Sequence, residues 1–213
     1  MRRGGLLVGL IGSEAERAAE ILGACRTVDI DPGAPYFRAS FPASALLLVD
    51  DGFVVVRATP RGRSRSIITC EAGPGRIVLP PSPDEALFGL AASRLTVVAP
   101  EAAQELTAVP GAARIVLEQL AATLGREQEA IGNFADTRHV ERVRRKLLQL
   151  GRAYGRVSRD GIRIDFPVSH AVLAEMIGSS RETVTRAVDE LQRTGFVARR
   201  GHTYRLLVSP ESV

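Results

Sequence analysis

Residues 178–195 read Gly-Ser-Ser-Arg-Glu-Thr-Val-Thr-Arg-Ala-Val-Asp-Glu-Leu-Gln-Arg-Thr-Gly and constrain the fold more than any other stretch. Ser180 is suited to cap a helix, because its hydroxyl accepts a bond from a free backbone N–H of the first turn. Val184, Val188 and Leu191 recur at helical spacing and predict a buried stripe. Arg181, Glu182, Thr185 and Arg186 fall on another face, near the N-terminal end. That is the end of a recognition helix that reaches base edges in the major groove. Arginine pairs with the two acceptors of guanine, and glutamate accepts from the amino group of cytosine. A solvated helix of mixed charge would show a similar pattern, so the flanks decide.

The flanks favour DNA. In Phe166–Gly178, Ser169 is a second candidate cap, Val172, Leu173, Met176 and Ile177 give an apolar face, and Gly178 suits the positive-φ position that ends a helix. Before it, Gly161–Phe166 alternates apolar and polar, as a half-buried strand does. After it, Gly195–Val208 reads as a β-hairpin turning at Arg200-Gly201. Strand, helix, turn, helix and hairpin in this order make a winged helix-turn-helix. Its wing tip carries Arg199, Arg200 and His202, which suit phosphate contact.

Charge divides the chain in the same place. From Thr137 to Val213 there are fifteen Lys/Arg and eight Asp/Glu, a net of +7, and fourteen of the cations are Arg. Residues 1–136 carry thirteen and sixteen, a net of −3. A basic end on an acidic remainder is the electrostatic footprint of a nucleic-acid domain.

With 213 residues the chain can hold two modest domains. No segment offers ~18 uninterrupted apolar residues, so no membrane span is expected. The start, Met1 to Ile11, imitates a signal peptide, but its apolar run is short and Ser13-Glu-Ala-Glu-Arg17 follows where a small-residue cleavage site should be. It reads as an N-terminal helix. Cys25 and Cys70 are too few for a disulfide framework or a four-thiolate iron–sulfur cluster, and a cytoplasmic protein is expected.

Residues 28–100 are rich in short strand signals. Ala45–Val49 and Phe53–Arg57 flank Asp50-Asp51-Gly52, which reads as a hairpin turn. Ser66–Cys70 and Arg76–Pro80 are split by Gly73-Pro-Gly75. Asp84–Ala92 reads as a short helix and Ser93–Val98 as a strand. Such a series predicts a β-barrel or sandwich, within an α+β chain. Ala113–Phe134 then reads as one long helix. Ala113, Leu117, Leu120, Leu124, Ile131 and Phe134 keep a/d spacing, interrupted by Glu127, a seam able to pair with the same helix of a second subunit. The stripe could also pack on its own barrel. Asp136 or Thr137 is the expected cap of a further helix through Val143, Leu147, Leu148 and Leu150. The organisation expected is thus a β domain at 1–110, a dimerisation helix at 111–136 and a winged helix at 137–213.

This order resembles the Crp/Fnr family, the cyclic-AMP receptor protein and its relatives. Gly178-Ser-Ser-Arg-Glu-Thr-Val-Thr-Arg186 is very close to that family's helix-turn-helix signature. The resemblance implies a β-roll of the cyclic-nucleotide-binding type and a homodimer on a pseudo-palindromic duplex, with RNA polymerase as a further partner. It implies base reading by Arg181, Glu182 and Arg186, with Thr185 at the position where members adjust site preference. It implies phosphate contacts at Ser169, His170 and Ser180, and at Arg200 and His202 on the wing.

The N-terminal half resembles the family in outline only. Nucleotide binders carry Gly-Glu at a turn and then an Arg-Ser/Thr pair that holds the cyclic phosphate. Here Arg76 stands where Glu is expected, Pro80, Pro81 and Pro83 interrupt the following turn, and Arg94 precedes Leu95. A cyclic nucleotide is therefore not expected. Haem is not expected either, since His139, His170 and His202 all lie in or beside the DNA domain. An effector, if one exists, would sit between β-roll and long helix near Glu127 and Gln128. No catalytic motif is present, and no enzyme is expected. The competing reading is a ligand-sensing or protein-interaction module that does not use its DNA domain sequence-specifically.

Overall fold

A strand with four consecutive apolar residues, as in Leu46–Val49, has to be covered on both faces, and this requirement shapes the first half of the molecule. The structure, a computed structural model, describes residues 9–59, 65–133 and 138–207, without the side chains of 126–133. In strand β3 (Leu46–Asp51), Leu47 and Val49 join the core between two sheets. Leu48, between them, turns to the opposite face and packs under helices. The elements before it are α1 (Gly12–Ala24), β1 (Arg26–Ile30) and β2 (Tyr36–Phe37). After it come β4 (Val54–Ala58), β5 (Ile67–Ala72), β6 (Ile77–Val78), β7 (Glu85–Gly89) and β8 (Ser93–Val98). They form two four-stranded sheets, ordered β1-β8-β3-β6 and β2-β7-β4-β5. Ile30, Val54, Val56, Leu87 and Leu95 fill the space between them.

The outer core lies against the helices. Ile21 and Leu22 of α1 meet Leu106 of α2 (Pro100–Thr107) and Ala112, Ile115 and Val116 of α3 (Pro110–Asn133). Proline opens α3 at a position where a missing N–H costs nothing. The described residues divide into two compact units whose boundary falls inside α3, between Glu127 and Gln128; the stretch just before β5 groups with the second.

Three expectations from sequence change here. Glu85–Gly89 is a strand, not part of a helix over 84–92. It pairs antiparallel with β4 from Val54↔Gly89 to Ala58↔Glu85, and with β2 at Tyr36↔Leu87. The pairing buries Ala86, Leu87 and Gly89, which outweighs a weak local helix preference. Asp50 and Asp51 end β3, and the turn at Gly52 is not a hairpin, because β3 and β4 enter different sheets. Gly52 sits at φ 83°, and a Cβ there would lie 2.2 Å from Ser93 Oγ, so the turn requires glycine. The first helix begins at Gly12, and Gly9–Ile11 precede it in non-helical conformation. Residues 1–8 lie outside the described set.

The second unit contains α4 (His139–Tyr154), β9 (Arg156–Ser158), β10 (Gly161–Ile164), α5 (His170–Ile177), α6 (Arg181–Arg193), β11 (Val197–Arg200) and β12 (Thr203–Leu206). Its sheet runs β11-β12-β10-β9, all antiparallel. Val143, Leu147 and Leu150 of α4, Leu173 and Ile177 of α5, and Val184, Val188 and Leu191 of α6 are buried. Asp136 and Thr137, expected to cap α4, lie outside the described residues. The residue before the helix is Arg138, whose side chain makes no capping bond.

Candidate nucleic-acid interface

Two short helices meet at a sharp turn because each side of the turn carries its own signal. Ser169 caps α5 by accepting from Val172 N–H at 3.2 Å. Gly178 ends it in the left-handed region at φ 62°, ψ 42°. Two residues later Ser180 caps α6, accepting from Thr183 N–H at 3.1 Å. Both caps and the left-handed glycine stand where the sequence placed them.

The turn is braced from α4 by residues that sequence reasoning passed over. Arg142 is buried, and its Nη1 donates to the Ile177 carbonyl at 3.4 Å, just before Gly178. Its Nη2 meets His139 Nδ1, and His139 also lies 3.3 Å from Ser179 Oγ. A buried arginine shares its side of α4 with Val143, Leu147 and Leu150, so only a mixed apolar and basic face signalled it.

On α6 the stripe Val184, Ala187, Val188 and Leu191 faces inward, leaving Arg181, Glu182 and Arg186 exposed. The Glu182 carboxyl is held below its usual range, first by its own backbone N–H and then by the Ser180 hydroxyl. An anion here also complements the positive end of the helix dipole. Thr185 is half-buried, and its hydroxyl lies 2.9 Å from the Arg181 carbonyl oxygen.

His170 is not where the resemblance put it. It is 9% exposed, and its Nδ1 lies 2.8 Å from Thr185 Oγ1. That hydroxyl has one proton, so it either gives it to the Arg181 carbonyl and accepts from Nδ1–H, or gives it to Nδ1. Nε2 is buried and without a hydrogen-bond partner among the described residues. The short reach of the ring toward α6 turns a residue expected at a phosphate into one that packs the two helices together. Burial first, then Arg199, pushes its pKa below the ordinary 6.5, against an opposing pull from Asp189.

The sign of the pH effect follows. Folded His170 takes up its proton at lower pH than the unfolded chain, so its stabilisation is complete above about pH 6.5 and lost as pH falls through the folded value. The winged helix should therefore melt at lower temperature as pH drops from ~7 to ~5. His170→Phe should flatten that part of the slope, as calorimetry on both proteins across this range would show. An unchanged slope would place the titrating group elsewhere.

The wing ends in Gly201 at φ 62°, with Arg200 and His202 exposed beside it. The His202 carbonyl accepts from Val168 N–H at 2.7 Å, tying the wing turn to the segment leading into α5. Arg199 is half-buried, its guanidinium 6.0 Å from the Tyr204 ring centre. Arg200 and His202 are thus free to meet a phosphate backbone, and Arg199 mainly packs the wing.

The long helix splits the expected seam. Leu117 and Leu124 stand 67% and 57% exposed, seven residues apart on α3. Leu120 instead packs partly into the core of its own domain. The side chain of Ile131, and Phe134 altogether, lie outside the described residues, as do the side chains of Glu127 and Gln128. In the β-roll, Arg94 Nε donates to Asp29 Oδ1 at 2.7 Å, which together with the Asp29 charge raises its pKa further.

The family model of the Crp-like helix-turn-helix domain matches residues 141–211. The global nitrogen regulator of Synechococcus elongatus is 36% identical over 89 residues, 42% of this chain and 40% of that protein. The chain therefore spans about two fifths of the curated relatives it matches. Among solved structures, a CRP/FNR-family transcriptional regulator of Thermus thermophilus is similar at TM-score 0.62 and 20% identity, covering 86% of this chain and 94% of that one. A cyclic nucleotide-binding domain containing protein of Listeria monocytogenes EGD-e is similar at TM-score 0.75 and 16% identity, covering 92% and 98%. Residues 141–211 are thus a Crp-like helix-turn-helix domain, in a chain whose fold is similar to those of CRP/FNR-family structures.

Proposed function

We propose that this chain is a homodimeric, sequence-specific DNA-binding transcription regulator that works without a cyclic nucleotide and contacts RNA polymerase from the DNA-bound state. The observation that carries the reading is the first turn and a half of α6. Arg181, Glu182 and Arg186 stand exposed there, on a helix capped by Ser180 and braced through Arg142. Each protomer would lay this end in one major groove, with Arg186 and Arg181 reading guanine and Glu182 reading cytosine. Ser169, Ser180, Arg200 and His202 would hold the backbone on either side. The exposed Leu117 and Leu124 support pairing through α3. Independence from cyclic nucleotides is supported by Arg94, whose guanidinium is engaged by Asp29, and by Arg76 where a glutamate would be needed.

Footprinting of genomic fragments tests the whole reading: a protected two-fold site is expected. Salt-sensitive binding without a preferred site would defeat it and favour the non-specific module. Two variants separate reading from positioning. Arg186→Ala should cost ~1–3 kcal/mol at the preferred site and relax choice at one base pair. Arg200→Ala should weaken all sequences about equally and make the log–log salt slope shallower by about one. Titrations on matched and mutated sites at several salt concentrations distinguish these, and the reverse pattern would mean the helices are misassigned.

A further inference from the structure

We infer that Thr185 reads thymine through its γ-methyl group, a specificity that rests on the DNA-binding reading above. A threonine hydroxyl has one proton to give. Here the hydroxyl oxygen lies 2.9 Å from the Arg181 carbonyl, inside the protein. The same oxygen lies 2.8 Å from His170 Nδ1, on a ring that is itself 9% exposed, so whichever of the two inward partners takes the proton, it stays inside the protein. The hydroxyl therefore has no proton left for the O4 of thymine or the N7 of a purine. Yet Thr185 is not fully buried, and it lies between Arg181 and Arg186, both exposed on the face that enters the groove. With its oxygen tethered inward twice, the side chain keeps no proton for a base, and its methyl carbon is the group left to meet an apolar feature in the groove. The major-groove feature that complements a methyl is the C5-methyl of thymine.

The experiment uses the full-length protein and its own selected DNA. The wild type first selects duplexes from a randomised two-fold pool. Each thymine of the selected site is then replaced by deoxyuridine, which removes only the C5-methyl. One symmetric thymine position should show a loss of about fourfold in affinity per methyl. Thr185→Val keeps the methyl and should keep that uracil penalty. Thr185→Ser keeps the hydroxyl and should abolish it, binding thymine and uracil sites equally. Melting curves and the penalty for mutating the guanine read by Arg186 confirm that both variants are folded and docked. If Thr185→Ser retained the penalty and Thr185→Val lost it, the hydroxyl would be the reading group and the inference would be overturned. It would be overturned equally if no deoxyuridine mattered to the wild type. Failure of the wild type to select any site would instead defeat the DNA-binding reading itself.

Discussion

Leu124→Glu is expected to produce monomers in sedimentation and to lose two-fold site binding. Leu124 and Leu117 are large apolar side chains left exposed by the fold of a single chain, on the same side of α3. Pairing of two such helices would bury them against each other. Losing a buried leucine costs ~2–5 kcal/mol, and the substitution does so once in each protomer. It also brings two carboxylates together across the two-fold axis. At ~5 Å and an effective dielectric near ~20 their repulsion is about 3 kcal/mol. The winged helix should survive, since Val172, Leu173, Val184, Val188 and Leu191 make a core of their own. Weak half-site affinity should therefore remain. A variant that stayed dimeric and bound normally would locate the dimer contact elsewhere.

Gly161→Ala should be the most damaging small substitution in the winged helix. Gly161 begins β10 at φ +113°, a conformation that a side chain strains, and an added Cβ would stand 1.9 Å from the Leu206 carbonyl oxygen. That oxygen belongs to the backbone of β12, so relief requires moving the strand. A cost of ~3–5 kcal/mol is expected, lowering the melting temperature of this unit by more than ~10 °C. Gly201→Ala is the control. It shares a left-handed φ of +62°, but nothing lies within 4 Å of its Cβ, so only the conformational strain of ~1 kcal/mol applies. Calorimetry of both variants checks the contrast; equal melting temperatures would refute it.

What the sequence disclosed depended on how local the deciding interaction is. The caps Ser169 and Ser180, the left-handed Gly178 and the buried stripe of α6 are fixed by partners within a few residues, and all were legible. Glu85–Gly89 was misread because its partners, β4 and β2, lie some thirty to fifty residues away. The turn at Gly52 was seen, but which sheet each flanking strand joins depends on pairings elsewhere in the chain. The same limit applies in the site. That His170 is a histidine on the first turn of α5 can be read directly. That it turns inward depends on Thr185 standing fifteen residues on, one helix later. Arg142 was invisible for a related reason: the partner that ties it to the turn is a backbone carbonyl, which carries no residue-specific signal.

The bond from Val168 N–H to the His202 carbonyl has a consequence for the nucleic acid. It joins the wing turn to the start of the helix pair at 2.7 Å, which fixes the spacing between the wing and that end of the pair. If the chain binds DNA as proposed, a duplex of unsuitable curvature would have to bend to that spacing. The elastic cost then falls on base steps between the contacted ones, and flexible pyrimidine–purine steps are easiest to deform. Sequence preference should therefore extend to base pairs that no side chain touches.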